Sequence, residues 1–170
     1  MTVQLAAQSA KAQARMGHMD QVQSILDHGY RLLAKHEHPT RPENHFVIDP
    51  TKWDFYAMDC YWMVGDNKRA AEHAHEVIRL SKRPDGAEKS PMRASEARFA
   101  LAVVSLRNGD VEAAAEWTRT ALAINRKSVA PLSMIADEVT AEIQRLYPND
   151  RAARSIVEVI ASTRKSFTQG

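Results

Sequence analysis

Residues 108–112 read NGDVE. A glycine between two apolar-periodic stretches, followed at once by an acid, marks the end of one helix and the start of the next. Glycine suits such an exit because the tight turn often needs a positive φ. The same arrangement occurs in VGDNK (64–68) and in MGHMD (16–20). Aligning the chain on Gly17, Gly65 and Gly109 brings other positions into register. Seven residues before each glycine stand Ala10, Met58 and Ala102; five after stand Val22, Ala70 and Ala114; twelve after stand Gly29, Val77 and Ala121. Small residues at those sites let antiparallel helices, and then neighbouring pairs, approach closely.

Working outward from the turns, the chain breaks into helices at about 3–16, 20–36, 50–64, 67–81, 91–107, 110–124, 129–147 and 150–165. No β-like alternation lasts long enough to require a strand. Asp49-Pro50 and Ser90-Pro91 each offer a side-chain acceptor at the N-cap and a proline at the first helical position. Asn149-Asp150, after Pro148 has closed the preceding helix, can cap the last one. KHEHPTRPEN (35–44) and KRPDGAEK (82–89) read as polar connectors between helix pairs rather than as domain boundaries.

Helix pairs of this kind, about 3–36, 50–81, 91–124 and 129–165, follow the tetratricopeptide pattern, a helix–turn–helix unit that stacks into a superhelix. The third unit fits best, with Leu101, Ala102, Gly109, Asp110, Ala114, Ala121 and Leu122. The first is degenerate, and the fourth lacks the glycine. The glycines are 48 and then 44 residues apart, against about 34 in the repeat family; the long connectors absorb the excess. The expected fold is therefore all-α: about eight helices in tetratricopeptide-like hairpins, stacked as one right-handed superhelical domain over residues 1–170.

The bulk composition excludes several classes. Hydrophobic residues make up 44% and charged residues 26% of a 170-residue chain with a net charge of +2. That is an ordinary globular balance, long enough for a buried core without disulfides. The basic residues are interleaved with acids, so no direct contact with nucleic acid is expected. The N-terminus carries Lys11 and Arg15 and lacks the apolar run of a signal peptide, and no stretch could span a bilayer. One cysteine, Cys60, forms neither an internal disulfide nor a cysteine-based zinc site. The expected location is the cytoplasm.

Two longer runs, HFVIDPTKWDFYAMDCYWMVGDNKRAAEHAHEVIRL (45–80) and SPMRASEARFALAVVSLRNGDVEAAAEWTRTAL (90–122), together with RKSVAPLSMIADEV (126–139), resemble the C-terminal part of actinobacterial transcriptional regulators of the Xre/Cro type. In those proteins a helix-turn-helix DNA-binding domain precedes a tetratricopeptide-like one. The resemblance runs from about His45 to Tyr147 and implies a role in transcription regulation. Nothing before residue 45 reads as a DNA-binding helix-turn-helix. The chain thus reads as the sensory or interaction half of such a regulator, or as a stand-alone relative.

Catalytic and metal chemistry find little footing. His36, His38 and His45 surround a connector, and with Asp49 they form the one set that could gather on zinc, with no helical pair to anchor it. His73 and His75 sit two apart on a helix, about 200° from each other, and cannot share an ion. Asp54 and Asp59 lie about 140° apart and do not make an acid–base pair alone. Cys60 has aromatic and apolar neighbours, which favours a buried, inert thiol. No phosphate-cradling loop or dinucleotide fingerprint occurs. Neither enzymatic activity, nor a cofactor, nor a metal is expected; Asp59 and Cys60 are the residues on which any catalysis would rest.

A recognition surface has more support. On helix 50–64, Lys52, Phe55, Asp59, Trp62 and Met63 fall within an arc of about 100°. In the same register Gln4, Ala7, Lys11, Ala14 and Arg15 line the first pair, and Glu96, Phe99, Val103, Leu106 and Arg107 line the third. Trp53, Tyr56, Ala57, Cys60 and Val64 fall on the packing side. A groove mixing aromatic and Met anchors with charges suits a protein or peptide partner. The alternatives are a small-molecule receptor with an aromatic pocket around Phe55, Trp62 and Phe99, burial of this face against another helix, or a dimerisation or scaffold surface.

Overall fold

The computed structural model describes residues 3–35, 51–123 and 130–168. Among them are eight α-helices: α1 (Val3–Arg15), α2 (Met19–Leu33), α3 (Thr51–Met63), α4 (Asn67–Leu80), α5 (Pro91–Arg107), α6 (Val111–Leu122), α7 (Ala130–Leu146) and α8 (Arg151–Thr168). No strand occurs among the described residues; Lys82 and Glu88 form one isolated antiparallel bridge. The chain divides into two compact units, Met1–Leu80 and Ser81–Gly170, so the break falls at the connector that begins KRPDGAEK.

The three glycine turns close their hairpins by the same bonds. Gly17, Gly65 and Gly109 have φ of 76°, 80° and 85°. In each, the glycine N–H reaches back three residues (to Ala14, Trp62 or Leu106 oxygen, at 3.0, 3.2 and 3.1 Å). The following N–H reaches back five, from His18 to Gln13, Asp66 to Tyr61 and Asp110 to Ser105, at 3.1, 2.9 and 2.9 Å. This is the Schellman closure, which satisfies carbonyls that the helix end would otherwise strand. The acid after the glycine then caps the next helix: Asp66 Oδ1 accepts from Arg69 N–H at 3.1 Å and Asp110 Oδ1 from Ala113 N–H at 2.8 Å. The first turn has His18 instead, and α2 has no side-chain cap; its ring meets Gln13 at 2.7 Å.

In the first unit α1 pairs with α2 and α3 with α4, while α1 and α2 both touch α3. Its core is a seam of alanines on α1 (Ala6, Ala7, Ala10, Ala14) closed by Val22, Leu26, Trp53, Met58, Ala70, Ala74 and Val77. In the second unit α5 pairs with α6 and α7 with α8; α5 also packs on α7, and α6 on α8. Phe99, Leu106, Val139, Ile143, Ile156 and Ile160 fill it. All nine positions aligned on the glycines are buried.

Asp150 caps α8 through Ala153 N–H at 2.8 Å. Ser90 does not cap α5 with its side chain. The chain reaches it from an ordered turn at φ −132° and ψ 64°, its hydroxyl meets no helix N–H, and Pro91 alone makes the start. Asp49 and Pro50 lie outside the described residues. The 81–90 connector is itself a turn, with Arg83 N–H on Ala87 oxygen at 2.8 Å, Asp85 Oδ1 on Ala87 N–H at 2.9 Å, and Glu88 paired to Arg98.

Candidate functional site

The site expected on α1 and α3 is partly assembled in the first unit. Lys11 Nζ on α1 and Asp59 Oδ2 on α3 form an ion pair, with Asp59 7% exposed and Lys11 half-buried. Along α3, at helical spacing, Lys52, Phe55 and Met63 keep part of their surface open, and Arg15 on α1 is exposed. The Phe55 ring stands edge-on to Tyr56, with centroids 6.2 Å apart. Trp62 is 8% exposed and belongs mainly to the interior, and Ala7 and Ala14 lie in the α1 seam. These three therefore offer almost nothing to a partner.

Cys60, next to Asp59, is fully buried. Burial pushes its thiol up to about 12, the Asp59 charge adds to that, and Lys11 opposes it. A thiol held protonated in this way is a poor nucleophile.

On the opposite side of α3 is a polar cluster that sequence reasoning did not find. His73 Nδ1 meets Asp54 Oδ1 at 2.9 Å. The His73 ring stacks on Tyr61, with centroids 5.6 Å apart and planes 7° from parallel, and the Arg69 guanidinium lies 5.3 Å from the Tyr61 centroid. Arg69 Nη1 donates to Gln23 Oε1 on α2 at 2.9 Å. Burial raises the Tyr61 phenol above its usual range; Arg69 pulls it back, and Asp27 and Asp66 push it further. The signal was there in outline: Asp54 and Tyr61 are seven apart on α3, Arg69 and His73 four apart on α4, so each pair shares a face. An imidazole oriented by a carboxylate is half of an acid–base arrangement. No hydroxyl or thiol nucleophile is bonded to it among the described residues.

In the second unit the expected lining of α5 needs correction. Phe99, Val103 and Leu106 are 0%, 1% and 0% exposed. The reason is that α5 is covered by both α6 and α7, and its alanines let both approach. Phe99 thus presents no surface to a ligand. Glu96 is half-buried. Arg107 Nε donates to Glu142 Oε1 at 2.5 Å, and Arg145 Nε donates to Glu142 Oε2 at 2.8 Å. Burial alone would raise the Glu142 carboxyl, but the hydrogen bonds and charges of the two guanidinium groups hold it below its usual range. Tyr147 hydroxyl donates to Leu106 oxygen at 2.6 Å. Arg107 therefore joins α5 to α7 as a structural ion pair.

No group of metal-ligating side chains gathers among the described residues; His36, His38, His45 and Asp49 lie outside them. No described helix is long and apolar enough to cross a membrane. No family model matches the chain, and neither a curated protein nor a solved structure is found to be similar to it.

Proposed function

We propose that the chain is a non-enzymatic interaction module. In this reading its hairpins are tetratricopeptide-like repeats stacked as a right-handed superhelix, it senses a protein or peptide partner, and it serves transcription regulation in the cytoplasm without touching nucleic acid itself. The observation that carries the reading is the α1–α3 face. Lys52, Phe55 and Met63 remain partly open there beside the Lys11–Asp59 pair that links α1 to α3. Apolar anchors next to fixed charges supply buried area and orientation, the two requirements of peptide recognition. The link to transcription rests on the resemblance of residues 45–147 to actinobacterial regulators. The high position of the Cys60 thiol supports the non-enzymatic part.

The test is site-specific photo-crosslinking in cells. A photoreactive residue at Phe55 is expected to give one discrete protein adduct, lost when Lys52→Glu is added. The same residue at exposed Glu112 on α6 should give none. Equal adducts at both positions, or none at Phe55, would overturn the reading. An adduct between two copies of this chain would assign the face to dimerisation instead.

A further inference from the structure

The hairpin of α7 and α8 is closed differently from the other three. Its turn, Tyr147-Pro148-Asn149-Asp150, has no glycine. Beside it the two helices leave a cavity of about 400 Å³, lined by Ile143, Gln144, Tyr147, Pro148, Arg154 and Val157. That volume falls in the range of small-ligand sites, roughly 300–1,000 Å³. Its walls are mainly apolar: Ile143 is buried and Val157 half-buried, and the Tyr147 hydroxyl is already engaged with Leu106 oxygen at 2.6 Å, so the ring offers only its apolar body.

Arg154 is the single charged residue of the lining. It is exposed, and it pairs with no acid among the described residues. Asp150, one turn before it, has an oxygen on Ala153 N–H at 2.8 Å; Glu158, one turn after it, is exposed. An apolar cavity with one unpaired guanidinium and one amide at its edge has a specific chemical complement. We propose that this cavity binds a carboxylate carried on a compact apolar body. The carboxylate lies on the Arg154 fork, which matches it bidentately, with the Gln144 amide as a second donor. The apolar body covers Ile143, Pro148 and Val157.

Two sources share that chemistry: a free small organic acid, and the C-terminal carboxylate of a protein ending in an apolar residue. The site is independent of the α1–α3 face, so failure of one leaves the other standing. The experiment is a titration of the isotope-labelled full chain, followed by amide NMR, with two probe pairs. One pair is phenylacetate and phenylacetamide; the other is an acetylated peptide ending in leucine, as free acid and as amide. The expected result is saturable shifts confined to residues around Ile143, Tyr147 and Arg154 with at least one of the acids, and binding by its amide weaker by about tenfold or more. Arg154→Gln should abolish the preference for acid over amide, and Arg154→Lys should keep part of it. Arg154 is exposed, so neither change threatens the fold. Which acid saturates identifies the source. Absence of shifts with both acids, or equal binding of acid and amide, or an unchanged preference in Arg154→Gln, overturns the proposal.

Discussion

Gly29→Ala should destabilise the first unit, although the same change in most helices does the opposite. Glycine inside α2 forgoes about 1 kcal/mol of helix propensity relative to alanine. The structure gives a reason for it. A methyl group built at Gly29 would stand 2.2 Å from Trp53 Cη2, 3.0 Å from Trp53 Cζ2 and 3.0 Å from Ala6 Cβ. Ordinary contact begins near 3.4 Å, so something over 1 Å must be found in the tightest direction. Neither neighbour can give easily: Trp53 is 5% exposed and Ala6 0%. Overpacking of this kind costs about 1–3 kcal/mol, and subtracting the propensity gain of about 1 kcal/mol leaves a net loss of up to about 2 kcal/mol. Urea unfolding followed by far-ultraviolet circular dichroism reads it as a lower midpoint at unchanged slope. The decisive comparison repeats Gly29→Ala in a Trp53→Leu background, where the crowding atoms are gone. There the alanine should be neutral or stabilising by up to about 1 kcal/mol. A stabilising effect in the parent chain, or the same loss in both backgrounds, would refute the reasoning.

Asp110→Ala, which removes the acceptor for Ala113 N–H at 2.8 Å, should cost about 1 kcal/mol in the same assay. Gly109→Ala should cost a similar amount, about 1–2 kcal/mol, through its φ of 85° alone, because nothing within 4 Å would meet the methyl. The Glu142 carboxyl is held below its ordinary 4.5, so its unfolded form takes up a proton first as pH falls. Its contribution is present above that value and is lost as pH drops through the folded one, and Glu142→Gln should flatten the acid limb of the stability profile in that window. Cys60, with its thiol pushed up to about 12, should react with a disulfide reagent at mildly alkaline pH only at the rate of unfolding; rapid labelling of the native chain would contradict its burial.

Helix positions were legible because their causes are local. A glycine at positive φ, an acid one residue later and a proline at the first turn act within a few residues, and the helix bounds accordingly follow the sequence pattern closely. Faces were harder. Along α3 and α5 apolar residues run most of the way round, so periodicity does not choose which side is covered; alanine leaves room for a neighbour on either side. Periodicity alone therefore places Phe99 in a groove, while it lies in the interior. The Asp54–His73–Tyr61–Arg69 cluster was legible only in outline, as two pairs each sharing a helix face, for another reason. Its members become neighbours only after the Gly65 turn sets the rotation of α4 against α3, and no residue-by-residue pattern encodes that rotation.

Comparing equivalent positions separates the repeat from what it displays. Three residues before the turn glycine stand Ala14, Trp62 and Leu106, with exposures of 3%, 8% and 0%. This row is interior in all three glycine hairpins whatever its size, so Trp62 belongs to the core despite being the most conspicuous aromatic near the turn. Six before stand Lys11, Asp59 and Val103. The first two form the ion pair between α1 and α3, so that contact joins the same position of successive hairpins, as stacking in register requires. Two before stand Arg15, Met63 and Arg107, each exposed or half-buried. That row keeps surface open in all three glycine hairpins, and Arg107 alone of the three turns inward to a carboxylate, at 2.5 Å. The sequence property that best marks exposed side chains here is therefore register against the glycine rather than aromatic content. On the proposed reading, the residues of the first unit left to meet a partner are Arg15 and Met63, with Phe55 and Lys52 further along α3, grouped around the Lys11–Asp59 pair.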